Sequence, residues 1–483
     1  PVAGDHVANA CRCRGGDTVN TAMNTQDALM AMLPEHLLLG GIVLVIIMEV
    51  LGRGSRSALW VALGAVIAAS GAAFMLSNAQ YAAAPFAGQF SVTPAILMAK
   101  GALLALAVPV LLMSRTEFSE GEFSILLLSS LYGLCLLPSA DSFLVMFLGL
   151  ELLAMPVYAL VLLAFRRPQS AESAFKYLVL SGAASATFLM GVSLLYGATG
   201  SMSVDAFGPA LASGDVMTRT AVVLVLLALF LKAAVVPFHA WAPDTYEGAS
   251  IPVTAYMATL TKGAVLLAAV RLFSGANATG PLVDLLLVLP LVSIVWGNLA
   301  AIKQQSFRRM IAYSSIAHAG YLFYAFLGNA EGRMQAVLFY VIAYSVVNLL
   351  AFAVMPQNTD DEQRDSLDAL KGLYHRNPFA AVMIAIAMLS LAGLPPFPGF
   401  AAKFLIFKNV VAAGYTTYAV LGLVGSYLGI YFYLRVIQLL FMTAGEAAPT
   451  EQRAGGMARA AGVLCLVGTL VLAVLPGWVL GRI

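Results

Sequence analysis

Glu151, Lys232, Lys262 and Lys403 each lie within a long apolar run of this 483-residue chain. At a rise of about 1.5 Å per residue, a group ten residues into a membrane helix sits about 15 Å deep, near the bilayer midplane. Holding an ionised side chain there costs about 2.5–3.5 kcal/mol, so such residues are rare unless they do something. One carboxylate cannot neutralise three ammoniums. A row of this kind loads and releases protons as its members move relative to one another, and proton transfer is the chemistry expected of it.

Three further residues are secondary candidates. Lys176 follows Glu172 by four residues, the spacing of an ordinary ion pair along one helix face. His239, in Pro237-Phe238-His239-Ala240-Trp241, and His318, in Ser314-Ser315-Ile316-Ala317-His318, belong to the residue type that passes protons near neutral pH. A neutral, hydrogen-bonded core histidine is the competing reading for both. Lys100, Arg271, Lys408 and Arg435 stand close enough to helix ends to extend their charged heads toward an interface.

These groups need a scaffold, and the composition says which kind. Hydrophobic residues make up 61% and charged residues 10% of the chain, with a mean hydropathy of +0.88. A soluble domain carries about 25% charged residues to cover its surface, so this chain is expected to live in a bilayer. The net charge of +2 offers no basic field, and nucleic acid is not an expected partner. Cysteines stand at 11, 13, 135 and 465, without the spacing of a metal or iron–sulfur site. No GxGxxG or GxxxxGK[ST] stretch marks a nucleotide site, so no cofactor is expected in this chain.

Runs of about 20 apolar residues predict about fourteen transmembrane helices in an all-α polytopic membrane protein. Prolines break two of them: Pro237 and Pro243 in helix 7 (219–246), and Pro395, Pro396 and Pro398 in helix 12 (379–411). Non-helical backbone at membrane depth survives where protein or internal water satisfies its carbonyls. The broken helices are five apart and therefore cross in opposite directions. That is the mark of inverted-topology repeats, expected over helices 4–8 (122–274) and helices 9–13 (281–443). Helices 1–3 (34–121) precede them and helix 14 (459–483) follows. Residues 1–33 are polar, and 1–22 read as an extension. Loops after odd-numbered helices hold thirteen Lys and Arg residues against five on the other side, which predicts a non-cytoplasmic N-terminus.

Several stretches carry a resemblance. They are Leu150-Glu151-Leu152, Phe175-Lys176-Tyr177, Lys232 through Gly248 (KAAVVPFHAWAPDTYEG), Ser314 through Tyr321 (SSIAHAGY) and Leu389 through Phe404 (LSLAGLPPFPGFAAKF). From about residue 23 onward the chain resembles the antiporter-like membrane subunits of proton-pumping NADH:quinone oxidoreductase, respiratory complex I. Within that family the likeness is to the N branch, which carries a lysine in the broken helix 12 where the M branch carries a glutamate. The polar 1–22 segment departs from the family.

The resemblance implies a subunit of a redox-driven proton translocase with no redox centre of its own. NADH, FMN, iron–sulfur clusters and quinone would belong to partner subunits. Glu151 and Lys232 would form the pair on helices 5 and 7, Lys262 the central relay and Lys403 the group nearest the exit, with Lys176 also on the path. It further implies the bacterial inner membrane as location and complex I membrane-arm subunits as partners, particularly the antiporter-like M and the small K, A and J types. A subunit of a multi-subunit cation/proton antiporter or of a membrane-bound hydrogenase shares these features and is the alternative.

Overall fold

Fourteen membrane passages account for most of the computed structural model, which describes residues 25–52, 54–115, 117–118, 121–164, 168–274, 276, 282–328, 330, 332–355, 366–442 and 455–481. The expected extension over 1–22, with Cys11 and Cys13, lies outside the described residues, as do Arg53, Arg166, Arg167, Arg364, Arg453 and Arg482.

Helices 1 to 6 run over Leu33–Val50, Gly54–Asn78, Pro94–Ser114, Glu122–Leu136, Phe143–Leu162 and Pro168–Thr199. Helix 7 is split into Val216–Ala233 and Trp241–Gly248, here 7a and 7b. Helix 8 spans Ile251–Leu272. Helices 9, 10 and 11 run over Leu282–Ile302, Phe307–Tyr324 and Arg333–Ala353. Helix 12 is split into Pro378–Ala392 (12a) and Pro398–Ala412 (12b), and helices 13 and 14 span Thr416–Phe441 and Gly456–Val474.

Twelve of the described helices are long and apolar enough to cross a membrane unaided. The other two passages are helix 10, whose polar residues face inward, and helix 12, whose halves are too short separately. Both breaks fall where prolines were expected to put them. Helix 7a ends on Ala234 at φ 60° and helix 12a on Gly393 at φ 82°, so each half-helix stops on a left-handed residue.

Two features were not foreseen. Strands β1 (Ala83–Phe86) and β2 (Phe90–Val92) form an antiparallel hairpin between helices 2 and 3. Helix 8 contains one π-helical turn, Met257–Thr261, immediately before Lys262. Such a turn widens the backbone ladder and leaves carbonyls free to turn.

The hairpin marks one face of the bundle, and the Lys- and Arg-bearing loops mark the other, the basic face. Matching local structures close the two faces. On the hairpin face, Ser142 caps helix 5, pairs in a β-bridge with Ser203, and Val204 N–H donates to the Asp141 carbonyl at 3.0 Å. On the basic face, Ser306 caps helix 10, pairs with Ser366, and Leu367 N–H donates to the Gln305 carbonyl at 2.7 Å. The incoming segments read Ser203-Val204-Asp205-Ala206 and Ser366-Leu367-Asp368-Ala369. Helix 8 lies at the centre, enclosed on all sides by its neighbours.

Candidate functional site

Glu151 and Lys232 meet between helices 5 and 7a. The Lys232 ammonium donates to Glu151 Oε1 at 3.1 Å and to Ser181 Oγ at 2.9 Å, and Ser185 donates to the same carboxylate oxygen. Helix 6 thus supplies two serines one turn apart that hold both members of the pair. Their side chains are 16% and 6% exposed, and the pair lies at the inner end of helix 7a, where unpaired carbonyls favour a cation.

Lys262 begins the second α-helical stretch of helix 8, just after the π turn, and donates to Ser315 Oγ of helix 10 at 2.6 Å. The Tyr246 ring of helix 7b lies 5.6 Å from its ammonium. Lys403, on helix 12b, donates to the Leu391 and Ala392 carbonyls at 3.1 and 3.2 Å and to Ser426 Oγ at 2.9 Å. Those two carbonyls close helix 12a, so the break that frees them also solvates the ammonium. Among the described residues, neither Lys262 nor Lys403 has a carboxylate within ion-pair distance.

His318 stands between these two lysines. Its Nδ1 is 2.8 Å from the Tyr340 hydroxyl and its Nε2 is 3.3 Å from the Tyr433 hydroxyl, which in turn lies 2.6 Å from Ser314 Oγ. Two cavities of about 10 Å³ flank it, each with room for about one water. One is lined by Lys262, Ser315, His318 and Tyr344, the other by His318, Tyr340, Ser390 and Gly399.

The structure therefore joins Glu151 to Lys232 directly and sets Lys262, His318 and Lys403 along one buried polar seam. Lys176 stands apart on the basic face. It is 41% exposed and bound to Glu172 at 2.7 Å, as its spacing predicted, and also to Asp244 at 2.8 Å. Asp244 and Glu247 share Arg309, at 2.8 and 2.9 Å. His239 is half-buried; its Nε2 accepts from Trp296 Nε1–H at 3.1 Å, and its ring also neighbours Tyr313.

One reading needs correction. Lys100 does not reach for an interface: it is fully buried and bound to Glu35 at 2.6 Å. Sequence spacing hid that pair, because the two residues sit on helices 3 and 1, 65 positions apart. Arg271 and Arg435 do lie near helix ends, where Arg271 pairs with Asp141 and Arg435 donates to the Ile302 carbonyl at 3.0 Å.

A sequence model of the membrane domain of NADH:quinone oxidoreductases and Mrp antiporters matches residues 140–429, from the cap of helix 5 into helix 13. The chain belongs to this family. NADH-quinone oxidoreductase subunit N of Pelobacter propionicus is 37% identical over 459 residues, covering 92% of this chain and 96% of that protein. A chain of respiratory complex I from Thermus thermophilus superposes with a TM-score of 0.81 at 33% identity, over 93% of this chain and 98% of that one. A chain of the Mrp complex from Dietzia sp. gives 0.82 at 21% identity, over 95% and 96%, a likeness of fold.

Within this antiporter-family chain, the residues that sequence reasoning did not single out are the partners: Ser181, Ser185, Ser315, Ser426, Tyr340 and Tyr433. Serine and tyrosine are common in membrane helices as interhelical glue, so type alone did not separate them from packing. Their signal is the titratable group each hydroxyl meets, a lysine for Ser181, Ser315 and Ser426, Glu151 for Ser185 and His318 for Tyr340 and Tyr433, which is visible in three dimensions. Among the described residues no cluster of three metal-ligating side chains occurs.

Proposed function

We propose that this chain is a proton-translocating membrane-arm subunit, of the N type, of a bacterial respiratory complex I. In this reading Glu151, Lys232, Lys262 and Lys403 carry protons, with His318 bridging the last two. The observation that carries it is the buried seam in which two ammoniums without carboxylate partners, Lys262 and Lys403, flank a histidine that has a small cavity on each side. Packing alone gives no reason to bury two unpaired cations.

The steps follow from the contacts. Perturbing the Glu151–Lys232 pair leaves the Lys232 charge unbalanced, and Lys262 sheds its proton through Ser315 and the first cavity. His318 accepts on one ring nitrogen and releases from the other, and the proton passes by the second cavity toward Leu391, whose carbonyl binds Lys403. Moving one charge against 100 mV costs about 2.3 kcal/mol. Two unit charges 4 Å apart at an effective dielectric constant near 20 interact by about 4 kcal/mol, so opening one pair supplies a step of that size. NADH oxidation and quinone reduction, with FMN and iron–sulfur clusters, would occur in partner subunits and drive that opening.

The matched serine bridges on opposite faces support reading helices 4–8 and 9–13 as inverted repeats. The basic face would be cytoplasmic, the location the inner membrane, and the neighbours the M, K, A and J type subunits. Lys176, exposed among Glu172, Asp244 and Arg309, would serve at the cytoplasmic mouth, and His239 stands off the main seam.

Replacing Lys232 by Ala in the assembled complex, reconstituted in vesicles, should lower the protons moved per NADH oxidised. Wild-type pumping in a verified assembled variant would remove Lys232 from the path. A cation/proton antiporter subunit is the second reading, favoured by the shared fold of the Mrp chain. Copurification with NADH dehydrogenase subunits, or with antiporter subunits instead, decides between the two.

A further inference from the structure

A second buried acid–base pair stands outside the two five-helix units. Glu35 is in the first turn of helix 1 and Lys100 in the second turn of helix 3, and both side chains are 0% exposed. The ammonium binds Oε1 at 2.6 Å, while Oε2 is buried with no hydrogen-bond partner among the described residues. A buried carboxylate oxygen left without a donor is costly to keep, and its natural occupant is a proton or a polar hydrogen.

The surroundings are built around that pair. The Phe90 ring of β2 lies 4.7 Å from the Lys100 ammonium. Phe90 belongs to a small apolar cluster, with Ala31, Leu76, Val92 and Leu97, that is separate from the main core. Tyr132 and Cys135 of helix 4 are the titratable groups within electrostatic reach of Glu35. Among the described residues of helices 1, 2 and 3 and the hairpin, no further charged group is hydrogen-bonded or ion-paired with Glu35 or Lys100.

Its depth relates it to the seam. A Cβ placed on Gly263, the residue after Lys262, would stand 3.4 Å from Leu103 Cδ2. Leu103 is one turn along helix 3 from Lys100, on the side away from the hairpin. Lys100 therefore lies about 4.5 Å closer to the hairpin face than Leu103, which stands level with Gly263. The pair sits between the central relay and that face.

We propose that Glu35 and Lys100 form an auxiliary proton-exchange site on the hairpin side of Lys262, with Glu35 Oε2 as the atom that binds the proton. Protonation there makes a neutral carboxylic acid and leaves the Lys100 ammonium without its counter-charge. Repulsion from that ammonium favours loss of the proton toward the hairpin face, which restores the ion pair. Hydronium supplies the proton, its O–H bond breaking as the Glu35 Oε2–H bond forms, and water toward the hairpin face takes it up, an O–H bond forming there as the Oε2–H bond breaks; no electron moves. This inference rests on the proton-translocating reading above.

The test uses the assembled complex in vesicles, with Glu35→Gln, Lys100→Met, the double variant and Lys262→Ala. Each single change strands one buried charged or polar partner and is expected to lower assembly. The double variant removes both charges and should assemble normally, as paired replacement of a buried ion pair generally does. If the pair exchanges protons, the assembled double variant moves fewer protons per NADH than wild type, and the pH dependence of that ratio changes; Glu35→Asp restores part of it. If the double variant assembles and pumps at the wild-type ratio across the pH range, the pair is a packing device and the proposal fails. Lys262→Ala separates this from failure of the wider reading: loss of pumping there beside a normal double variant sinks only the auxiliary site. Normal pumping in all four variants sinks both.

Discussion

Glu151 and Ser315 hold matching places on opposite halves of the molecule. Each lies nine residues beyond the serine that caps its helix, Ser142 or Ser306, and each is hydrogen-bonded to a buried lysine. Where helix 5 presents a carboxylate to Lys232, helix 10 presents a hydroxyl to Lys262. A carboxylate holds an ammonium as a salt, whereas a hydroxyl accepts one hydrogen bond from it without neutralising its charge and can also hand on a proton. The first position is suited to a pair that opens and closes, the second to a relay.

That difference predicts the outcome of making them alike. Ser315→Asp should give Lys262 the counter-ion it lacks and lock its proton in place, so proton translocation falls while electron transfer in the uncoupled complex persists. Ser315→Ala removes one hydrogen bond to the ammonium, worth about 1.5–3 kcal/mol, and one of the two ways off Lys262. The rate should fall, but less than in Ser315→Asp, because the cavity beside Lys262 stays open and no counter-ion traps the proton. Proton uptake into vesicles alongside NADH oxidation measures both, and equal effects of the two changes would contradict the relay role.

The Glu151–Lys232 pair makes a separate prediction about stability. Lys232→Ala leaves a largely buried carboxylate held by Ser185 alone, and breaking such a pair costs about 3–5 kcal/mol. Glu151→Gln with Lys232→Met should recover most of that loss without recovering pumping. Thermal unfolding of the purified complex in detergent reads the first quantity. A double variant no more stable than Lys232→Ala would show that the two charges are not coupled.

Proline and charge were the legible signals. Pro237 with Pro243, and Pro395, Pro396 and Pro398, are clustered prolines that remove several backbone donors close together, and both breaks fall there, whereas the single Pro109, Pro156 and Pro290 lie inside unbroken helices. Glu151, Lys232, Lys262 and Lys403 stood out because charge inside an apolar run is costly in any membrane fold. The π turn before Lys262 left no trace, since Met257–Thr261 has an ordinary helical composition. Glu35–Lys100 was misread because the rule for snorkelling counts distance to a helix end and knows nothing of a neighbouring helix. The Ser203–Ala206 and Ser366–Ala369 repeat was present as letters, yet four residues are too few to separate symmetry from chance until both are seen pairing with a capping serine.

Helix 12 is sensitive at Gly399. A Cβ there would stand 2.8 Å from the Ser390 carbonyl carbon, closer than packed atoms allow, and Gly399 N–H donates to Ser390 Oγ at 3.2 Å. Gly399→Ala should push helix 12b away from 12a and pull Lys403 off the Leu391 and Ala392 carbonyls. The expected result is a complex that assembles with impaired proton translocation. Unchanged pumping would mean that the break tolerates the shift and that these carbonyls are not needed.

Acid pH should loosen the hairpin end of helix 7a. Asp215 accepts hydrogen bonds from Thr218 N–H at 2.8 Å and from the Thr218 hydroxyl at 2.9 Å, and these hold its carboxyl below the usual carboxylate range. A group held below its unfolded value contributes stability that is present above that value and is lost as pH falls through the lowered one. Asp215→Asn keeps a capping side chain and removes the titration. Hydrogen-exchange protection at the first turn of helix 7a, taken relative to the intrinsic rate at each pH, should fall in acid for the wild type and stay flat in the variant; parallel curves would assign the acid response elsewhere.

Arg333 closes the hairpin end of helices 8, 10 and 11, and its replacement separates fold from transport. Its guanidinium donates to the Phe273, Ala276 and Gly328 carbonyls at 2.7, 3.0 and 2.8 Å, between the rings of Phe273 and Phe326. A lysine presents a point charge in place of a planar fork and cannot reach all three carbonyls with the same geometry. Arg333→Lys should therefore leave one or two buried carbonyls unsatisfied, at about 1–3 kcal/mol each. Thermal unfolding should shift downward while the protons moved per NADH stay at the wild-type ratio at permissive temperature, because none of these atoms lies on the Lys262–His318–Lys403 seam. A fall in that ratio without a fall in stability would move Arg333 from the frame of the bundle into the proton path.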